Sequence, residues 1–114
     1  MINYEEFSKI ELKVAKILVA ERVEGSEKLL KLQVDLGLEK RQIIAGIGKV
    51  YAPENLIGKE IIIVANLEPR SFILRQSSGQ VVLESQGMLL AASDENRPVI
   101  LMPEKEVLPG TGIK

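Results

Sequence analysis

The stretch Leu30-Lys31-Leu32-Gln33-Val34-Asp35-Leu36 alternates apolar and polar side chains without interruption. This period of two is typical of a β-strand with one face in a core and the other in solvent. Gly37-Leu38-Glu39-Lys40 follows as a turn, and Arg41-Gln42-Ile43-Ile44-Ala45-Gly46 has the composition of a returning strand. The sequence therefore predicts a β-hairpin over residues 30–46.

The segment before this hairpin, Leu12–Val23, is also rich in apolar residues, but its alternation changes phase. Val14 belongs to one face of an extended chain, whereas Ile17 belongs to the other. A change of face near Ala15-Lys16 predicts a β-bulge or a strong coil at that point. A long first strand that serves both halves of a small barrel would need such a kink.

Two short helical segments and several further strands are predicted along the chain. Asn3 is a suitable N-cap for a helix that starts at Tyr4-Glu5-Glu6-Phe7, with Ile2 packed against Phe7. Pro53-Glu54-Asn55-Leu56 predicts a helical turn with proline in its first position. The strands are predicted at residues 60–65, 72–74, 81–83, 88–92 and 99–102.

Short strands at close spacing with little helix predict an all-β fold, either a small barrel or a sandwich. The length of 114 residues predicts one domain over residues 1–114. Five core strands, a coiled first strand and a helical turn between the third and fourth strands fit the OB-fold. Periodicity alone leaves an SH3-like barrel open as well.

The composition excludes several kinds of site. The chain has no Cys and no His, so it lacks a thiol nucleophile, a thiolate zinc site and an imidazole base. No motif resembles a catalytic triad or a phosphate-cradling glycine loop, so we expect no enzyme activity, no cofactor and no metal. No apolar run is long enough for a membrane span and no signal segment is present, so we expect a cytoplasmic protein.

The charge balance limits the kind of nucleic-acid binding that can be expected. The net charge is −1, from 15 basic and 16 acidic residues. This balance permits a local basic stripe, which is enough to neutralise phosphates. Tyr4 and Phe7 are expected to pack, which leaves Tyr51 and Phe72 as too few rings for a base-stacking platform. RNA would therefore be recognised mainly through its shape and backbone.

Two motifs stand out, Ala65-Asn66-Leu67-Glu68-Pro69-Arg70 and Ser85-Gln86-Gly87-Met88-Leu89-Leu90-Ala91-Ala92. Upstream lie Ser26-Glu27-Lys28-Leu29 and Gly46-Ile47. In this order and near this spacing, the four motifs resemble the tRNA-binding domain that is appended to methionyl-tRNA synthetases. The same domain occurs as free-standing tRNA-binding proteins. The resemblance extends over Tyr4–Gly110, nearly the whole chain.

The resemblance decides for the OB-fold and implies a five-stranded barrel with an N-terminal helix and extra C-terminal strands. It also implies a non-catalytic module that captures tRNA for aminoacylation as a dimer. Its expected partners are tRNA, a second copy of the chain and the catalytic part of methionyl-tRNA synthetase. The sequence leaves open whether the chain is a free-standing protein, a beta subunit or a C-terminal domain. The alternative is a chaperone-like peptide binder, because a related dimeric OB-fold protein is associated with protein export.

The candidate RNA-binding residues are Lys28, Lys31, Arg41, Asn66, Arg70, Ser85 and Met88. Lys28, Lys31 and Arg41 are predicted to form a basic patch on one face of the barrel. Arg70 has five donors suited to a phosphate or a base edge. The alternative for each lysine is a solvated surface residue.

The resemblance implies tRNA contact by Asn66, Ser85 and Met88. The alternatives are that Asn66 only completes a turn and that Met88 only fills the core. Glu68 departs from the family, which commonly has a basic residue there, and this weakens the local positive field.

The segment Ser71–Glu84 is longer than the family pattern and predicts a β-hairpin with its tip at Ser77-Ser78-Gly79. An isolated hairpin is marginal in water, so a partner surface is expected to cover one of its faces. We expect that cover to come from a second subunit, while Arg75 and Gln76 near the tip reach RNA.

Overall fold

A computed structural model describes all residues, 1–114, and confirms a fold dominated by strands. The strands are β1 (Leu12–Arg22), β2 (Leu30–Asp35), β3 (Lys40–Ala45), β4 (Glu60–Val64), β5 (Arg70–Gln76), β6 (Gly79–Ser85), β7 (Met88–Leu89), β8 (Ala91–Asp94) and β9 (Arg97–Ile100). The predicted N-terminal helix is a single turn, α1 (Tyr4–Phe7), capped by the side chain of Asn3. A 3-10 turn at Pro53–Asn55 matches the predicted helical turn. No helix has the length and apolar character to cross a membrane.

Strand β1 lies at the centre of a five-stranded antiparallel sheet in the order β3-β2-β1-β4-β7. Its register with β2 shifts between Ile17 and Val19, so the irregularity is at Leu18 rather than at Ala15-Lys16 as predicted. The predicted position is wrong because Val14 and Ala15 are both buried, so the change of face in the sequence does not mark a bulge. The C-terminal segment pairs with this end of β1, where the Val14 N–H donates to the Thr111 carbonyl at 2.9 Å.

The core is filled from the inward face of the predicted first hairpin. Leu30, Leu32 and Val34 are fully buried and Ile43 packs with them, as the alternation predicted. Strand β4 contributes Ile61 and Ile63 from the opposite side. Burying each of these branched side chains stabilises the fold by about 1.5–3 kcal/mol.

The barrel closes through a seam between β3 and the segment that joins β6 to β7. The main-chain N–H of Gln86 donates to the Gln42 carbonyl at 2.8 Å, and the Gln42 N–H donates to the Gln86 side-chain oxygen at 2.9 Å. The Ile44 N–H donates to Ser85 Oγ at 2.9 Å, and Gln42 Nε2 donates to the Glu84 carbonyl at 2.9 Å. With this seam the sheet is a nearly closed barrel, which confirms the all-β, OB-like prediction.

The long insertion forms the predicted hairpin, and its register agrees with the sequence. Phe72 pairs with Leu83, Ile73 with Val82 and Leu74 with Val81. The turn is tighter than predicted, because Gln76 already pairs with Gly79 and only residues 77–78 lie between the strands. Extra C-terminal strands are also present, as the β8–β9 hairpin.

The hairpin tip docks on the same chain, while cover of one hairpin face by a second subunit stays a prediction. Gln76 Nε2 donates to the Glu24 carbonyl at 2.9 Å, and the Ser77 N–H donates to Glu24 Oε1 at 2.6 Å. A Cβ at Gly25 would lie 2.5 Å from the Arg75 carbonyl oxygen, so the two backbones touch. Gln76 is therefore used within the protein and does not reach outward.

Candidate nucleic-acid interface

An open groove of about 380 Å³ lies where the end of β3, the β5–β6 hairpin and β7 meet. Ile44, Leu89 and Leu90 contribute to an apolar floor, and Lys28 and Arg70 bring positive charge to its edge. We call this the central groove. An apolar floor with cationic edges suits a ligand that carries both flat apolar groups and negative charge.

Hydrogen bonds fix the backbone of Lys28, and its side chain lies over a glycine that leaves room for it. Its N–H donates to Ser26 Oγ at 3.2 Å, and its carbonyl accepts from the Gly48 N–H at 2.7 Å. A Cβ at Gly46 would come within 2.7 Å of the Lys28 Cε, so the lysine stem lies directly over that glycine. Lys28 forms no salt bridge with any acid. It is an oriented, unpaired cation rather than an arbitrary surface lysine.

Arg70 also lines the groove, with its guanidinium carbon 4.6 Å from the centre of the Phe72 ring. Such a cation–π contact orients the guanidinium without using its N–H donors. Glu68 lines a smaller neighbouring cavity of about 130 Å³ together with Arg70, but the two form no salt bridge. The arginine therefore keeps its donors for a ligand.

Met88 is an apolar residue that lines the groove together with Arg70. Its side chain is 46% exposed, and it lines both the central groove and the smaller cavity. The alternative that Met88 fills the core does not hold in this structure. A polarisable thioether in this position can contact the face of an unstacked base.

Ser85 lies in the same motif but is only 3% exposed. Its hydroxyl accepts from the Ile44 N–H at 2.9 Å and donates to the Gly87 carbonyl at 2.8 Å. Gly87 has a φ of +137°, and a Cβ there would lie 2.9 Å from the Val64 carbonyl oxygen. Both residues thus position the chain that presents Met88.

Arg41 faces the same side of the sheet as Val34, its partner on β2, and lies at the end of the barrel. Its guanidinium donates to the Ala65 carbonyl, to the Gln86 carbonyl at 3.3 Å and to Glu39 Oε1 at 2.8 Å. The hydrogen bond from Arg41 is the main cause that lowers the pKa of Glu39. Arg41 is therefore occupied within the protein and does not share a face with Lys31.

Lys31 and Asn66 also have partners in the chain. Lys31 Nζ lies 3.0 Å from Glu21 Oε1, so its charge is paired. The Asn66 side chain accepts from the Glu11 N–H at 2.9 Å and donates to the Lys9 carbonyl at 2.7 Å. Asn66 fastens the N-terminal segment to the end of β4. The expected patch of Lys28, Lys31 and Arg41 is not formed.

Comparison with known proteins shows which family the chain belongs to. A family model described as "Putative tRNA binding domain" matches residues 12–112. The chain belongs to this tRNA-binding domain family. This confirms the resemblance read from the four motifs, and the family is one of binding domains rather than of catalytic ones.

Full-length relatives extend well beyond this tRNA-binding domain. The chain is 51% identical over 112 residues to the methionine–tRNA ligase of Caldanaerobacter subterraneus subsp. tengcongensis, covering 98% of the chain and 16% of the ligase. It therefore spans about a sixth of the length of the curated relatives that it matches.

Solved structures of similar size share the fold along their whole length. A MetRS related protein from Pyrococcus horikoshii superposes with a TM-score of 0.85 and 36% identity, covering 100% of this chain and 98% of that one. The chaperone CsaA from Bacillus anthracis superposes with a TM-score of 0.83 and 30% identity, covering 100% and 99%. The fold is thus shared by a MetRS related protein and by a chaperone.

Two basic residues of this tRNA-binding domain were not predicted from the sequence. Lys49 and Arg97 line a cavity of about 470 Å³ that shares Lys28, Gly46 and Ile47 with the central groove. Lys49 lies two residues after the Gly46-Ile47 motif, and this proximity could have indicated that it belongs to the same surface. Arg97 had no local signal, because only the β8–β9 hairpin brings it to this surface. Tyr51, considered as a stacking ring, accepts a hydrogen bond from the Ile100 N–H at 3.2 Å instead.

Proposed function

We propose that this chain is a non-catalytic tRNA-binding module, acting as the C-terminal domain or beta subunit of methionyl-tRNA synthetase in the cytoplasm. The observation that supports it is the convergence of Lys28, Arg70 and Met88 on the central groove. These are the candidate residues whose side chains the protein leaves free. The chain would capture tRNA and raise its local concentration near an active site on another domain.

In the central groove, charged and apolar side chains have separate roles in binding. Lys28 and Arg70 contact phosphates, because both are unpaired cations. Met88 and Phe72 contact an unstacked base on the apolar floor. With so few rings and so few free cations, one copy binds modestly and reads RNA mainly by backbone and shape.

A homodimer is part of this proposal. The outward face of the β5–β6 hairpin exposes Ile73 and Val82 at 68% and 58%, paired directly across the strands. Val99, Leu101 and Met102 are further exposed apolar residues. Light scattering at micromolar concentration should give a particle of twice the chain mass of 12.6 kDa. A particle of the single-chain mass would contradict the dimer without affecting RNA capture.

The test of RNA capture is a titration of tRNA with the chain over a range of salt concentrations. Two phosphate contacts, at Lys28 and Arg70, give a slope of about −1.5 to −2 in a plot of log affinity against log salt. Lys28→Gln and Arg70→Gln should each weaken binding and make the slope shallower. Lys59→Gln is the matched control, because Lys59 lines a separate cavity with Glu104 and Glu106. No binding, or binding independent of salt, would contradict the proposal.

The second candidate is a chaperone-like binder of unfolded peptides. It is favoured by the apolar floor of the central groove and by the likeness to the chaperone CsaA. Competition decides between the two, with tRNA and an equal mass of unfolded polypeptide offered to labelled protein. Displacement by polypeptide, insensitive to Lys28→Gln and Arg70→Gln, would favour the chaperone.

A further inference from the structure

The cavity beside the central groove has an unusual set of lining residues. Lys28, Lys49 and Arg97 contribute to it, and Gly46, Ile47 and Asn96 form part of its wall. We call it the basic cleft. No acidic residue lines it, although the chain carries 16 acidic residues against 15 basic ones.

The three cations of the basic cleft have no ion-pair partner. All the salt bridges lie elsewhere, at Lys13–Glu11, Lys31–Glu21 and Arg41–Glu39. Gathering unpaired like charges at one concavity is unfavourable for the protein alone, and an anion bound there would relieve their mutual repulsion. The cleft therefore has the electrostatic character of an anion site.

The backbone under these cations is fixed by local structure. Glu95 and Asn96 have φ values of 51° and 65°, which make the two-residue turn between β8 and β9 and set Arg97 as the first residue of β9. On the other side, Arg22 Nη1 donates to the Gly48 carbonyl at 2.9 Å and so holds the loop that carries Lys49. The backbone of the cleft is thus fixed before any ligand arrives, so only the side chains are ordered on binding.

We propose that the basic cleft is a second phosphate site for the RNA backbone, with Lys28 shared between it and the central groove. This inference rests on the proposed function. A strand would follow Arg70, Lys28 and then Lys49 with Arg97, so that its base lies over Met88 while the adjoining phosphodiester enters the cleft. The ammonium groups of Lys28 and Lys49 act as point charges, and the Arg97 guanidinium is a forked donor. Together they suit the oxygens of a phosphate group.

The first experiment measures the salt dependence of tRNA binding for Lys49→Gln and Arg97→Gln. Each change should weaken binding and make the log–log slope shallower by about 1, the effect of one lost phosphate contact. Lys59→Gln should leave both quantities unchanged, because Lys59 lies outside the cleft and the groove. If the wild-type chain binds tRNA and neither variant changes affinity or slope, the second phosphate site is refuted while RNA capture stands.

The second experiment uses inorganic tripolyphosphate as a probe that has no base. Backbone amide shifts in NMR spectra should be concentrated at Lys28, Lys49 and Arg97, and Arg97→Gln should abolish them. If tRNA does not bind at all, the proposed function is refuted. This experiment then tests by itself whether the basic cleft binds an anion. Shifts concentrated there would keep the anion site, whereas shifts scattered over all lysines would refute it.

Discussion

The seam that closes the barrel and the edge of the central groove use polar side chains in opposite ways. At the seam, Ser85 and Gln86 have hydrogen-bond partners within the chain. At the edge, Lys28 and Arg70 have no acidic partner. Groups satisfied inside the protein hold it together, and groups left free are available to a ligand.

A single motif contributes to both regions. Ser85, Gln86 and Gly87 form the seam, and Met88, the next residue, faces the groove. The motif alone therefore does not separate residues that hold the barrel together from residues that are free to contact a ligand. We expect loss of the hydrogen-bonded members of the motif to destabilise the protein and loss of the exposed Met88 to weaken binding.

Gly87→Ala should give the largest effect, a loss of stability of about 2–3 kcal/mol. The substitution puts a Cβ 2.9 Å from the Val64 carbonyl oxygen at a φ of +137°, and strained φ values of this kind cost about 1–3 kcal/mol before any collision. Urea unfolding followed by circular dichroism measures the loss. Gly79→Ala is the control, because its φ is also positive, +116°, but no atom lies within 4 Å of the added Cβ. Equal losses at both positions would show that the close approach to Val64 is unimportant.

Ser85→Ala should also act through stability. It leaves the Ile44 N–H and the Gly87 carbonyl without their partner, and an unsatisfied buried group costs about 1–3 kcal/mol. Affinity for tRNA per folded molecule should not change, because the buried hydroxyl offers nothing to RNA. A loss of affinity in a variant of unchanged stability would instead restore Ser85 as a contact residue.

Met88→Ala should show the reverse pattern. Its side chain is 46% exposed, so we expect little loss of stability. Affinity for tRNA should fall by about 1 kcal/mol, roughly fivefold, the scale of a thioether contact with an aromatic ring. Thermal unfolding and tRNA titration on the same sample provide both numbers. If stability fell by about 2 kcal/mol or more with binding unchanged, Met88 would be a packing residue after all.

Gly46→Ala tests how Lys28 is presented without removing its charge. The new Cβ would lie 2.7 Å from the Lys28 Cε and displace the lysine stem, so tRNA affinity should fall by less than in Lys28→Gln. In a Lys28→Gln background the same change should have no further effect on binding, which a double-mutant cycle measures. Gly112→Ala, with no atom within 4 Å, is the control. Additive losses would mean that Gly46 acts independently of Lys28.

The sequence predicts the parts of the fold that depend on periodicity. The alternation at Leu30–Leu36 and the mirrored apolar residues of the β5–β6 hairpin agree with the observed pairing. The displaced bulge in β1 shows the limit of this reasoning. The distant C-terminal segment forms backbone hydrogen bonds with Val14, and no local pattern reports such a contact.

The candidate site was harder to predict because charge in a sequence does not reveal pairing. Lys31 and Lys28 are equally basic in the sequence, yet only Lys31 meets an acid, across the sheet at Glu21. Arg41 was expected on an outer face, but the β2–β3 register places it with Val34. Arg97 comes from a remote hairpin, so only the folded chain associates it with Lys28.

The smallest predicted effect concerns the hairpin that carries Phe72 beside the groove. Its tip is held by Glu24, and the hydrogen bond from the Ser77 N–H is the main cause that lowers the pKa of this carboxyl below 4.5. A lowered folded-state pKa means that the stabilisation is complete above pH 4.5 and is lost as the pH falls through the folded value. Between pH 5.5 and pH 3, exchange of the Ser77 amide should therefore accelerate in the wild type beyond its intrinsic pH dependence. Glu24→Gln should remove this change, while Glu39→Gln, which alters a carboxyl with a similarly lowered pKa at Arg41, should retain it. If Ser77 exchange is the same in Glu24→Gln and the wild type at every pH, the carboxylate does not hold the tip.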